Sequence, residues 1–205
     1  MSICSWGTLL SVFALQLFSP ADPPFRLVNR EGAISLYARW IKAQDTEVRE
    51  LKAVFEVNAP LERVLPLLQS GSSDTGWNYG ADHHVVISTP GQQDWRVYMW
   101  YDMPWPIQDQ DCMLHFQLRE ASPQVLQIAF HSVEDTRFPQ SSSRDRISGV
   151  RGQWLITSQG NGRLHITYQV SSDRSKKIPR WVSDPAVHAH LLQSLQSFTQ
   201  KLEQR

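Results

Sequence analysis

The sequence predicts an α+β fold in which a curved antiparallel sheet wraps around one long C-terminal α-helix, with an apolar cavity between them. Three observations predict it. Strand-like segments from residue 33 to 170 carry apolar residues on one face and polar residues on the other, the signature of an antiparallel sheet with one dry side. A single long helical stripe closes the chain. That stripe must be buried, and the dry face of the sheet is the only large surface left to receive it. A strongly twisted sheet does not lie flat on one helix, so a gap opens between the two.

The elements follow in order. Residues 33–42 and 47–57 read as strands; in the second, Leu51, Ala53, Phe55 and Val57 alternate with Glu50, Lys52, Val54 and Glu56. Asn58-Ala59-Pro60 opens a short helix with Leu61, Val64, Leu65 and Leu68 at helical spacing, shortened or kinked by Pro66. A loop rich in Ser and Gly runs from Gly71 to Gly76. Six further strands are expected at 84–89, 94–101, 112–119, 124–131, 150–157 and 163–170. Cys112, Leu114, Phe116 and Leu118 share one face, opposite Met113, His115, Gln117 and Arg119. Leu126, Ile128 and Phe130 repeat the pattern, as do Leu164, Ile166, Tyr168 and Val170. Asp184-Pro185 supplies a cap and a first-turn proline for the last helix, whose stripe is Val187, Leu191, Leu195, Phe198 and Leu202.

Composition narrows the function. Of 205 residues, 41% are hydrophobic and 20% charged, and 20 basic side chains balance 20 acidic ones, which suits a globular chain and argues against a nucleic-acid partner, since binding phosphate backbones draws on an excess of cations. The apolar run Leu9–Phe18 is too short to span a bilayer and suits the core of a signal peptide over 1–21, cleaved before Asp22; no Lys or Arg precedes it, so a buried or interfacial N-terminal helix is the alternative. The first reading implies a periplasmic or secreted protein, the second a cytoplasmic one. The folded domain is then 22–205. Cys4 and Cys112 form neither a disulfide framework nor a metal site, and Cys112 reads as a small buried apolar residue.

The chain resembles the START (StAR-related lipid-transfer) family of the helix-grip superfamily, over about residues 25–203. The residues that carry the resemblance are spread along it: Leu27-Val28 with Gly32, Ile34, Leu36, Tyr37 and Arg39; Glu50-Leu51-Lys52-Ala53; Trp77; Pro104-Trp105-Pro106-Ile107-Gln108-Asp109-Gln110-Asp111; Val150-Arg151; Trp154; and Ile178-Pro179-Arg180-Trp181-Val182. The family has arginine before the aspartate where this chain has Gln110. That departure puts ligand identity in question, and a buried Asp111 would need another cation, with Arg151 the candidate.

The resemblance implies a lipid or other hydrophobic small molecule held under the last helix, no cofactor, and a carrier or sensor acting as a monomer. It places the cavity among Phe55, Trp77, Trp95, Val97, Met99, Tyr101, Leu114, Phe116, Ile128, Phe130, Trp154, Ile166, Tyr168, Leu191, Leu195 and Phe198, with Asp111 and Arg151 as its polar residues. The same positions fit ordinary core, and for any one of them the sequence leaves that choice open. It also implies a gate at about 173–181, where Trp181 beside Lys176, Lys177 and Arg180 suits transient contact with a membrane surface. Trp105, between two prolines, reads as structural.

Other chemistries find less support. His188 and His190 stand two apart on a helix and His83-His84 point to opposite sides of a strand, so neither pair makes a metal site. No Gly-x-Ser-x-Gly elbow, phosphate loop or dinucleotide fingerprint is present. Related helix-grip proteins include polyketide cyclases and aromatases; an enzyme of that kind would have to draw on Asp111, Tyr101, Tyr168 or Arg151. A ligand-free interaction module, its interior filled by side chains, is the remaining alternative.

Overall fold

A computed structural model describes residues 22–43, 46–70, 77–87, 93–103, 105, 108–173 and 180–204. The strands are β1 (Arg26–Glu31), β2 (Ile34–Ala43), β3 (Thr46–Asn58), β4 (Ala81–Ile87), β5 (Asp94–Tyr101), β6 (Gln110–Ala121), β7 (Val125–Ser132), β8 (Asp145–Arg146), β9 (Ser148–Ser158) and β10 (Arg163–Asp173). A 3-10 turn (Leu61–Arg63) leads into α1 (Val64–Leu68), and α2 (Arg180–Glu203) closes the chain. The strands form one open antiparallel sheet in the order β1-β2-β3-β10-β9-β7-β6-β5-β4, and β8 alone runs parallel, beside the start of β6.

All eight expected strands are present within a few residues of their expected ends. Two more were not expected. In β1 every residue is exposed, so it shows no alternation; it pairs with β2 through a turn at Gly32, whose φ of +55° is a conformation that glycine adopts without strain. The other, β8, is a two-residue ladder. The last helix begins at Arg180 rather than at Asp184, so Pro185 lies inside it and Arg180 and Trp181 belong to the helix. So near its N-terminus the proline removes only one intrahelical bond, and the Asp184 carboxylate pairs with Arg49 of β3 instead of capping.

The inner face of the sheet and α2 enclose the main core. Leu36, Ala53, Ile128, Trp154, Ile156 and Ile166 meet Leu192, Leu195, Phe198 and Leu202, all essentially without solvent contact. Leu192, absent from the expected stripe, widens it in the way a helix on a broad sheet requires. The Arg63 guanidinium donates to the carbonyls of Leu202 and Gln204, at 3.4 and 3.2 Å, and so satisfies the end of α2.

The outer face is not uniformly wet. The segment after β7 folds across it, stacking Phe138 on Tyr98 with centroids 4.3 Å apart. Asp135 takes up Arg96 and Arg137. Beneath this cover Met113, expected on a solvent face, is fully buried.

Candidate functional site

A hollow of about 550 Å³ lies between the sheet and the part of α2 from Asp184 to Ser194. The inward positions of β5, β6, β7, β9 and β10 supply its floor, with Met99, Tyr101, Leu114, Phe116, Phe130, Trp154 and Tyr168. Trp77 forms a side wall, and Leu191 of α2 is part of the roof. Beyond them lies packed core, where the Phe198 ring of α2 stands 4.8 Å from Trp154 and 5.7 Å from Trp77 between centroids. Large rings on facing elements leave a gap of this size where no side chain reaches across it.

The remaining residues expected at the cavity lie elsewhere. Phe55, Trp95, Val97, Ile128, Ile166, Leu195 and Phe198 are packed core: they share the inner face, but there α2 and neighbouring side chains fill the space. Trp95, for example, stacks on Phe116 at 5.2 Å. Asp111 is on the outer face, buried under the segment after β7. Its cation is Arg146, not Arg151: Nε donates to Oδ1 at 2.6 Å and Nη2 to Oδ2 at 3.0 Å. Arg151 is exposed and lies opposite His131 in the ladder. The parallel pairing of β8 brings Arg146 beside Asp111 in register. Tyr98 donates to the same carboxylate at 3.0 Å, and Arg146 also reaches the Phe138 carbonyl.

Several hollow residues were not anticipated. Asn78 donates to the Tyr101 hydroxyl and to the Met99 sulfur, and the Ser194 hydroxyl donates to Asn78 Oδ1 at 2.9 Å, which ties α2 to β5. The signal for Ser194 was a polar residue three positions from Leu191 on an otherwise apolar stripe. His190 packs edge-on against Tyr101, at 5.2 Å, and Cys112, Val150, Val170 and Ser171 complete the interior.

Burial sets the protonation of this interior. It pushes the Tyr168 and Tyr101 hydroxyls far above their ordinary value and the Cys112 thiol up to about 12, and it lowers His190. At neutral pH all four are uncharged. Among the described residues, the charged side chains that border the hollow are Arg49, Asp145, Arg146 and Asp184, with Arg49 paired to Asp184 and Arg146 to Asp111. Met103 and Gln108 also border the hollow. Trp105 lies between them in sequence and is 93% exposed, so the structural role expected for it gives way to an exposed indole. Lys176 and Lys177 lie outside the described residues, as do Pro104, Pro106 and segment 1–21. Among the described residues, no group of three or more His, Cys, Asp or Glu could hold a metal ion.

No protein-family model matches the chain. An uncharacterized protein of Pseudomonas aeruginosa is 21% identical over 200 residues, covering 96% of this chain and 97% of its own. Among solved structures, a STAR-related lipid transfer protein fragment from Xanthomonas axonopodis superposes with a TM-score of 0.74 at 20% identity, over 88% of this chain and 99% of that one. An aromatase/cyclase from Streptomyces superposes with a TM-score of 0.53 at 13% identity, over 76% of this chain and 91% of that one. With its open antiparallel sheet and long C-terminal helix, the chain has the helix-grip fold of the StAR-related lipid-transfer domains.

Proposed function

We propose that the protein binds a hydrophobic small molecule in the hollow beneath α2 and carries it without transforming it. The observation that carries this reading is the hollow itself: about 550 Å³ of space with an aromatic and aliphatic interior, in the size range of pockets that enclose a small ligand. Water left in such a space has few polar partners, so replacing it by an apolar molecule is favourable, at roughly 25 cal/mol per Å² of apolar surface removed from water. A solved structure of the same fold, named as a lipid transfer protein, supports the reading.

An enzyme of the cyclase type is less well supported. Of the four groups that chemistry would draw on, Asp111 and Arg151 are away from the hollow, and burial keeps Tyr101 and Tyr168 protonated, which deprives them of a base's role. Exchange at a membrane surface is suited by Trp105, which is exposed and lies in sequence between two residues that border the hollow, since an indole favours the interface between lipid and water.

The experiment is purification of the chain from a lipid-containing host, followed by solvent extraction and mass spectrometry. One hydrophobic molecule per chain is expected. An extract without any, combined with no uptake from vesicles, would leave the interaction-module reading in its place.

A further inference from the structure

Two features of the hollow say more about its occupant than that it is apolar. The first is size. The space is about 550 Å³. A phospholipid with two twelve-carbon chains has roughly 40 non-hydrogen atoms, and at ~30 Å³ each in a liquid it needs more than twice that volume. A molecule with one such chain, or a compact ring system of similar bulk, has about half as many atoms and on the same figure needs roughly the volume of the hollow.

The second is the polarity of the interior. Tyr168 is 8% exposed and borders the hollow. Among the described residues its hydroxyl has no hydrogen-bond partner, whereas the Tyr101 hydroxyl receives Asn78. An apolar guest that displaced water from the hollow would leave the Tyr168 hydroxyl unpaired, at a cost, and a guest that supplies a partner avoids that cost. Ser171, 4% exposed, also borders the hollow, one turn of the strand pleat beyond Val170. Formal charge is different: among the described residues, the guanidinium groups that border the hollow, Arg49 and Arg146, already hold carboxylates. An anion drawn inside would lose its water without gaining a free cation from these residues.

Resting on the carrier reading, we infer that the hollow holds one uncharged amphiphile with a single apolar body, that the guest's hydrogen-bonding group meets the Tyr168 hydroxyl, and that two-chain phospholipids are excluded. The geometry thereby selects within the broad class of lipids on two independent grounds, bulk and charge.

The test uses the full chain and vesicles of dilauroylphosphatidylcholine that also contain 1-monolaurin, laurate and dodecane, which share the same chain length. After incubation the protein is re-isolated and its bound lipid extracted and quantified. Monolaurin at about one molecule per chain is expected, with laurate and the phospholipid each at least tenfold lower. The Tyr168→Phe variant, which keeps the ring and removes the hydroxyl, should hold monolaurin about fivefold more weakly, as befits the loss of one neutral hydrogen bond, and dodecane unchanged. Stoichiometric phospholipid would overturn the size limit and leave the carrier reading standing. Laurate retained as well as monolaurin would overturn the requirement for a neutral guest. Equal monolaurin affinity in the variant would remove Tyr168 as the contact. If none of the four is retained, dodecane included, the carrier reading falls and the inference with it.

Discussion

Asp111, on the outer face of the sheet, and Arg146, which borders the hollow, form a two-pronged ion pair, with the carboxylate 1% exposed and the guanidinium 13% exposed. Removing one member of a buried pair strands the charge of the other. Arg146→Met should therefore cost about 3–5 kcal/mol, while the double variant Asp111→Leu/Arg146→Met should regain most of that loss. Urea denaturation of the two variants checks it; equal losses in both would contradict the pairing.

Gly152 makes room for Phe130. A Cβ at residue 152 would come within 2.3 Å of the Phe130 ring and 2.2 Å of the Gln169 carbonyl oxygen, and the carbonyl cannot move without breaking the β9–β10 ladder. Gly152→Ala is expected to cost about 1–3 kcal/mol or more. Because Phe130 is part of the floor of the hollow, the same variant should also change ligand retention, read by quantifying extracted lipid.

Leu195 and Leu191 are one helical turn apart and should respond differently. Leu195 is fully enclosed in packed core, so Leu195→Ala should cost about 2–5 kcal/mol. Leu191 is partly buried at the roof of the hollow, so Leu191→Ala should cost about 1–2 kcal/mol, because little new cavity is created. Thermal denaturation of the ligand-free chain compares them. Equal losses would mean that the roof is packed as tightly as the core.

Arg49 joins β3 to the start of α2 through Asp184. Arg49→Ala should release ligand to acceptor vesicles faster than the parent, by about two- to fivefold for a part-buried pair worth up to ~1 kcal/mol. Trp105→Ala should slow the same transfer and leave stability unchanged, since its side chain is almost wholly exposed. A fluorescent-lipid transfer assay reads both, and opposite signs are the expected outcome.

Stability should fall in mild acid. His84 is 4% exposed, neither ring nitrogen has a hydrogen-bond partner among the described residues, and burial lowers its pKa. Below its ordinary value of 6.5 the unfolded chain takes up a proton that the folded chain refuses. The histidine therefore costs nothing above that value and destabilises progressively below it. His190 acts in the same direction. Asp135, held low chiefly by Arg137, loses its contribution only below the ordinary carboxylate value of 3.8. The urea midpoint should drop between about pH 7.5 and 5.5, and drop less in His84→Met; identical profiles would exclude His84 as a source.

The fold was legible because alternation marks a sheet with one dry face, and Leu164, Ile166, Tyr168 and Val170 show it plainly. β1 was not legible, because all six of its residues are exposed and leave no period to read. The partner of Asp111 was misassigned for a related reason. Which arginine approaches it depends on the two-residue parallel ladder of β8, a tertiary fact with no local pattern. The same holds for the division between hollow and core. Phe130 and Ile128 share a face and a strand, yet one borders open space and the other is packed. Which side chains of facing elements meet over each decides that, and no spacing in the sequence encodes it.

That uneven packing makes α2 a flap held more firmly at one end than at the other. From Leu192 onward it is pinned by apolar side chains without solvent contact and by Arg63 at its tail, while from Asp184 to Leu191 it borders the hollow and is held by the Asp184–Arg49 pair and by partly buried side chains. Prising up that half uncovers far less apolar surface than detaching the whole rod, so a guest can leave through a local opening while the anchored end holds the domain together.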